Sequence, residues 1–137
     1  MKKALLPWTA VIMILFTLPY CSDKGGSTDS CGSEASLAVT TNPAVNSDEA
    51  AAPGPNFPLT VTVTSAMPSG GVTIKVTARP DGETATFFSE EKSATTASTD
   101  FTITGAPSGK KSLVEITVTS KSCNTNKWTG SYRFSKK

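Results

Sequence analysis

The sequence predicts an all-β fold, a seven-stranded antiparallel sandwich of the immunoglobulin-like, fibronectin type III-like kind. Apolar residues alternate with Thr or charged residues in several short runs, and such period-two alternation is typical of half-buried strands. Clusters of Pro, Gly and Asn separate the runs and have the chemistry of turns. No run after residue 20 has a period of 3.6, so we expect little helix. An open barrel is the competing architecture.

Three runs of alternating residues carry most of this prediction. Residues 59–64 place Leu, Val and Val on one face and three Thr on the other, and residues 72–79 and 114–119 repeat the pattern. The fourth strand is less regular because two aromatic residues are adjacent, so either one of them faces out or a bulge interrupts the strand. We assign Phe88 to the core and expect Phe87 to be the exposed one. The predicted strands are residues 36–41, 57–66, 72–79, 84–92, 99–104, 112–120 and 127–135.

The inward faces of these strands predict one hydrophobic core. Trp128, Tyr132 and Phe134 alternate along the last strand, so they share one face. We interpret that face as core because the residues between them are polar; the alternative is an exposed aromatic row that stacks sugar rings, as in carbohydrate-binding modules. The predicted core comprises Leu37, Val39, Leu59, Val61, Val63, Val72, Ile74, Val76, Phe88, Phe101, Ile103, Val114, Ile116, Val118, Trp128, Tyr132 and Phe134.

The composition excludes several kinds of active site. The 137 residues include three Cys, no His, and 13 Lys and Arg against 11 Asp and Glu. Without His the chain can form no Ser-His-Asp triad, no Cys-His pair and no imidazole-ligated metal site. Acidic neighbours such as Asp81 and Glu83 are interpreted as solvated turn residues rather than Ca²⁺ ligands. We therefore expect no enzymatic activity, no cofactor, no metal and no nucleic-acid partner.

The first 20 residues are typical of a bacterial export signal. Lys2 and Lys3 precede an apolar stretch that is short for a membrane span of about 20 residues, although an uncleaved membrane anchor is the alternative. The string Leu18-Pro19-Tyr20-Cys21 resembles the lipobox, in which a Leu stands three residues before a Cys that becomes lipidated. Tyr20 departs from that pattern, which usually has a small residue there. Acylation of Cys21, by palmitate or a similar chain, would anchor the protein firmly because more than one acyl chain is attached.

Two further cysteines follow the export signal. Residues 21–35 are rich in Ser, Gly and Asp and predict a flexible tether, and residues 36–137 are the sandwich domain. Cys31 precedes the first strand, at the end of the sandwich where the loop after strand six carries Cys123. An even pair in an oxidising compartment predicts a disulfide between them, with two free thiols as the alternative.

Residues 60–64, 114–122 and 124–132 resemble the strands of a family of small Bacteroidota lipoproteins with a single sandwich domain. The resemblance implies export and a β-sandwich, and it implies no catalytic residues. We therefore expect a non-enzymatic, lipid-anchored protein of the cell envelope, held at the outer membrane and serving binding, adhesion or structural support. Its partner would be an unknown protein or glycan, bound at the end of the domain away from the membrane or at a sheet edge by strand addition.

Overall fold

Seven strands form two sheets in the computed structural model, which describes residues 31–137. One sheet has the order β1-β2-β5 and the other the order β4-β3-β6-β7, and all five strand pairs are antiparallel. No pairing joins the two sheets within the described part of the chain, so the domain is a sandwich and not an open barrel. The strands are β1 (Val39–Asn42), β2 (Phe57–Val63), β3 (Val72–Pro80), β4 (Phe88–Ala94), β5 (Ser98–Ile103), β6 (Lys111–Ser120) and β7 (Lys127–Ser135). The predicted fold class is confirmed.

The core lies between the sheets and follows the predicted alternation. Strands β2, β3 and β6 bury every second residue, because their apolar residues face the opposite sheet. Three predicted core residues, Val39, Phe88 and Trp128, are only half-buried at the margins of the cluster. The other fourteen predicted core residues are buried. The prediction missed the buried Phe57, Ala78, Ala94, Ala106 and Cys123.

Two strands begin later than the sequence predicts. Strand β1 starts at Val39 and ends where Pro43 follows, because Pro has no N–H for the ladder. Strand β4 starts at Phe88, since residues 84–86 lie in the connection that leads from β3. The expectation that Phe87 is exposed was wrong: Phe87 and Phe88 are both half-buried, and both pack against the core.

One edge of the larger sheet is covered by a segment that the sequence did not predict as strand. Residues 45–52, termed the edge segment, run parallel to β7. The Asn46 N–H donates to the Ser131 carbonyl at 2.7 Å, and the Glu49 N–H donates to the Arg133 carbonyl at 2.8 Å. The edge segment therefore occupies backbone groups of β7 between Ser131 and Ser135, and this part of the edge is closed to strand addition.

The opposite side of the sandwich carries inward-facing charge. Glu90 and Lys92 stand on the inner face of β4, between the buried Ala94 and the half-buried Phe88. The Lys92 ammonium donates to the Asp100 carbonyl on β5 at 2.7 Å and lies 4.6 Å from the centre of the Phe101 ring. This side chain bridges the two sheet edges, and inward charge on an edge strand opposes pairing with another chain.

The antiparallel order gathers the connections at two ends of the sandwich. At one end the Lys121 N–H donates to the Gly71 carbonyl at 3.0 Å, so the turn at 68–71 lies beside the loop at 121–126. This is termed the disulfide end. At the other, termed the far end, the Asp81 N–H donates to the Lys111 carbonyl at 2.9 Å.

Candidate functional site

A disulfide joins the N-terminal segment to the loop between β6 and β7. Cys31 and Cys123 are bonded, their Cα atoms are 5.3 Å apart, and 92 positions separate them in the sequence. Cys31 is half-buried, whereas Cys123 is 3% exposed and belongs to the buried set. The chain before β1 is therefore attached covalently to the disulfide end of the domain.

Glu34 attaches the same segment a second time, through hydrogen bonds. Its Oε1 accepts from the Ser122 hydroxyl at 2.6 Å and from the Ser120 hydroxyl at 2.9 Å. Its Oε2 accepts from the Asn126 side-chain amide at 2.8 Å, and the Asn126 Oδ1 accepts from the Leu37 N–H at 3.0 Å. Residues 31–35, predicted as part of a flexible tether, are thus bound to the domain. Their composition gives no sign of this attachment, because the hydrogen-bond partners of Glu34 lie next to it only in the folded chain.

The carboxylate of Glu34 links the stability of this attachment to pH. The Ser122 hydroxyl, and after it the Asn126 amide, hold the pKa of Glu34 below its usual value. A group whose pKa is lowered by folding stabilises the protein above its unfolded pKa, and this contribution is lost as the pH falls through the folded pKa.

The Glu34→Gln variant tests this linkage. We expect it to have a lower Tm than the wild type near pH 7, and we expect this difference to shrink between pH 7 and pH 3 as the wild-type carboxyl takes up a proton. Thermal unfolding followed by circular dichroism at both pH values checks this. The matched control is Glu91→Gln, which removes an exposed carboxylate on β4. A difference between Glu34→Gln and the wild type that stays constant from pH 7 to pH 3 would contradict the linkage.

The lipidation site predicted at Cys21 lies outside the described residues. The export signal at residues 1–20 and the first part of the predicted tether lie outside them as well. No helix within residues 31–137 is long and apolar enough to cross a membrane.

The aromatic row of β7 is divided between the core and the surface. Tyr132 and Phe134 are 2% and 3% exposed, so the core interpretation is confirmed for these two rings. Trp128 is half-buried and packs across Gly130, where an added Cβ would lie 2.9 Å from the Trp128 Cζ2 atom. Its neighbourhood forms a concavity of about 560 Å³, with Glu115, Thr117, Thr129 and Ser131 among the lining residues. The side chains of these four residues stand on the outer face of the sheet, opposite to the face that Trp128 shares with Tyr132 and Phe134.

The acidic residues of the far end are paired with basic ones. The Arg133 Nε donates to Asp81 Oδ2 at 2.8 Å, Lys110 donates to Glu83 at 2.7 Å, and Lys111 pairs with Asp48. The guanidinium of Arg133 lowers the pKa of Asp81, and Asp81 in turn raises the pKa of Arg133. Exposed pairs of this kind contribute little to stability. No group of three or more Cys, Asp and Glu side chains in the described range is placed to hold a metal ion.

In comparisons with known proteins, no protein-family model and no curated protein matches this chain.

Proposed function

We propose that this protein is an exported, non-enzymatic component of the cell envelope, anchored through an acylated Cys21 and presenting its sandwich for binding or structural support. The observation that carries the proposal is the disulfide between Cys31 and Cys123. Stable disulfides form in oxidising compartments and are rare in the cytosol. A structural disulfide and an N-terminal export signal therefore support the same location.

The disulfide also sets the reach of the proposed anchor. Ten positions separate Cys21 from Cys31. An extended chain spans at most about 3.5 Å per residue, so the disulfide end lies within roughly 35 Å of the acylated residue. Without the bond and the Glu34 contacts, the free tether would extend to the start of β1. The attachment thus holds the domain close to the membrane and points its far end away from it.

The far end and the outer faces of the sheets are then the surfaces open to partners. The edge segment covers the second half of β7, and Lys92 bridges β4 and β5, so these edges are poorly suited to strand addition. The absence of His from the chain agrees with a binding or structural role rather than acid–base catalysis.

A Cys21→Ala variant tests the anchor. We expect the wild type to remain in the membrane fraction after washes with high salt and with alkaline carbonate, and the variant to appear in the soluble envelope fraction. The intact mass of the wild type should correspond to a chain that starts at Cys21 and carries acyl groups.

The control for this experiment is the Cys31→Ala/Cys123→Ala double variant. It should stay with the membrane, because it keeps the acylated residue and loses only the disulfide. Membrane retention of Cys21→Ala, together with a wild-type mass that includes residues 1–20, would contradict the proposal and favour an uncleaved anchor.

Glycan binding is the second candidate, and it rests on the concavity beside Trp128. The concavity gathers hydroxyl groups and a carboxylate, which hydrogen-bond sugars, and Trp128 is among its lining residues. Titration of Trp128 fluorescence with envelope or dietary polysaccharides separates the two candidates. An absence of change with any glycan would count against this one.

A further inference from the structure

A cavity opens where the chain crosses from the smaller sheet to the larger one. After β1 the chain leaves its sheet and becomes the edge segment beside β7. The cavity has a volume of about 250 Å³, a little below the roughly 300–1,000 Å³ that is usual for ligand sites. It is bordered by the end of β1, the edge segment, the start of β2 and the end of β7.

Aromatic rings form one wall of this cavity. Phe57 of β2 and Phe134 of β7 pack with their ring centres 4.3 Å apart and their planes tilted by 44°. Tyr132 lies beside Phe134, with ring centres 6.4 Å apart. All three residues line the cavity. Such a wall favours apolar groups, and ring faces also attract cations.

One polar group of the cavity lacks a hydrogen-bond partner in the described chain, and a second carries a negative charge without a basic partner there. The Tyr132 hydroxyl is buried and has no hydrogen-bond partner within residues 31–137. Glu49 lines the cavity and is half-buried; its carboxylate accepts from the Ser47 hydroxyl at 2.6 Å, but it pairs with no Lys or Arg of the described chain. Its neighbour Asp48, by contrast, pairs with Lys111 on the exposed side. Buried polar groups are usually satisfied, so the Tyr132 hydroxyl, together with the unneutralised charge of Glu49, marks a place for a ligand.

The charges select the kind of ligand. No Lys or Arg lines the cavity, so an anion would meet only the negative charge of Glu49. Burial, and next to it the Glu49 carboxylate, raises the pKa of Tyr132, so its hydroxyl remains protonated and neutral. A phenolic oxygen can accept a hydrogen bond from an ammonium group, and a carboxylate can pair with it.

From the cavity, its aromatic wall, the unpartnered Tyr132 hydroxyl and the unneutralised charge of Glu49, we propose that this site binds a small organic ammonium. The ammonium group would contact the Glu49 carboxylate and the Tyr132 hydroxyl. The apolar part would lie against Phe57 and Phe134, with Ala50 and Ala52 of the edge segment on the other side. This site goes beyond the envelope function proposed above and does not depend on acylation of Cys21.

Three probes of the same size and different charge test the proposal. They are 2-phenylethylammonium, the neutral 2-phenylethanol and the anionic phenylacetate. The full chain carrying Cys21→Ser is titrated with each, and backbone amide chemical shifts locate the binding. We expect the ammonium to bind with a Kd on the order of 1 mM, as befits a ligand of this size, and to shift amides of the edge segment and of residues 132–134. The alcohol should bind more weakly, and phenylacetate should not bind.

Matched variants assign the two polar contacts. Glu49→Gln should weaken ammonium binding about tenfold and leave the alcohol unaffected, since a hydrogen bond to a charged group is lost. Tyr132→Phe keeps the aromatic ring, removes the hydroxyl and should weaken ammonium binding about fivefold. Glu91→Gln removes an exposed carboxylate elsewhere and should have no effect.

Two results would overturn the proposal. One is equal binding of the three probes, or equal binding to the wild type and Glu49→Gln, which would make the cavity a merely apolar gap. The other is the absence of shifts at residues 45–52 and 132–134 with any probe, which would mean that water satisfies Tyr132. Neither result bears on the membrane fractionation of Cys21→Ala, so the two proposals fail separately.

Discussion

Replacing both Cys31 and Cys123 with Ala is expected to lower the free energy of unfolding by about 4 kcal/mol. The bond closes a loop across a sequence separation of 92, and a loop of that length carries a large chain entropy in the unfolded state when the link is removed. The loss would be a large fraction of the stability of a domain of this size. Urea unfolding of the double variant and of the wild type, with and without dithiothreitol, measures it.

Two comparisons separate the bond from the side chains that form it. Reduction of the wild type should lower its stability to nearly that of the double variant, whereas dithiothreitol should leave the double variant unchanged. Cys31→Ala alone removes the bond at a half-buried position and keeps the buried Cys123 side chain. The free energy of unfolding could fall by less than about 1 kcal/mol in the reduced wild type, in the double variant and in Cys31→Ala. That result would show that the Glu34 hydrogen bonds hold the segment without the disulfide.

Gly71→Ala is expected to destabilise the domain by about 3 kcal/mol. Gly71 closes the turn before β3 with a φ of +76°, a conformation in which an L side chain is strained. An added Cβ would also collide with the backbone carbonyl oxygen of Ala94, the last residue of β4. That oxygen belongs to a strand paired with β3, so it cannot move without disturbing the register of Val72 with Ala94.

Gly82→Ala is the matched control for this prediction. Gly82 has a φ of +83°, but an added Cβ there would meet no atom within 4 Å. Gly82→Ala should therefore lower the free energy of unfolding by only about 1 kcal/mol, which is the cost of the backbone conformation alone. Urea unfolding of both variants gives the difference that is due to the contact with Ala94. Equal losses would show that this collision is relieved at no cost.

Local pattern was sufficient to predict the strands and most of the core. In β2, β3 and β6 the alternation of apolar and polar residues reflects burial on one face, and burial on one face is a property of each strand by itself. The turn residues between the runs predicted the ends of the strands to within a few residues. Even the proximity of Cys31 and Cys123 could be inferred, because antiparallel order sends alternate connections to opposite ends.

Residues whose environment depends on another element could not be predicted in this way. Ala78 and Ala94 are buried because of what faces them across the sandwich, and an alanine carries no signal of that burial. Glu90 and Lys92 look like ordinary surface residues, yet they stand on the inner face of an edge strand, where Lys92 reaches β5. Strand β4 therefore lacks the regular apolar alternation that would have fixed its start from the sequence.

The proposed ligand site depends entirely on such non-local placement. The edge segment binds β7 through backbone groups, which every sequence possesses, so nothing in residues 45–52 marks them for that edge. Only this crossing from β1 to β7 brings Glu49 beside Tyr132 and leaves a cavity against Phe57. Alternation along the chain thus specified which faces are buried, whereas the neighbours of each strand, the covered edge and the cavity arise from contacts between residues far apart in sequence.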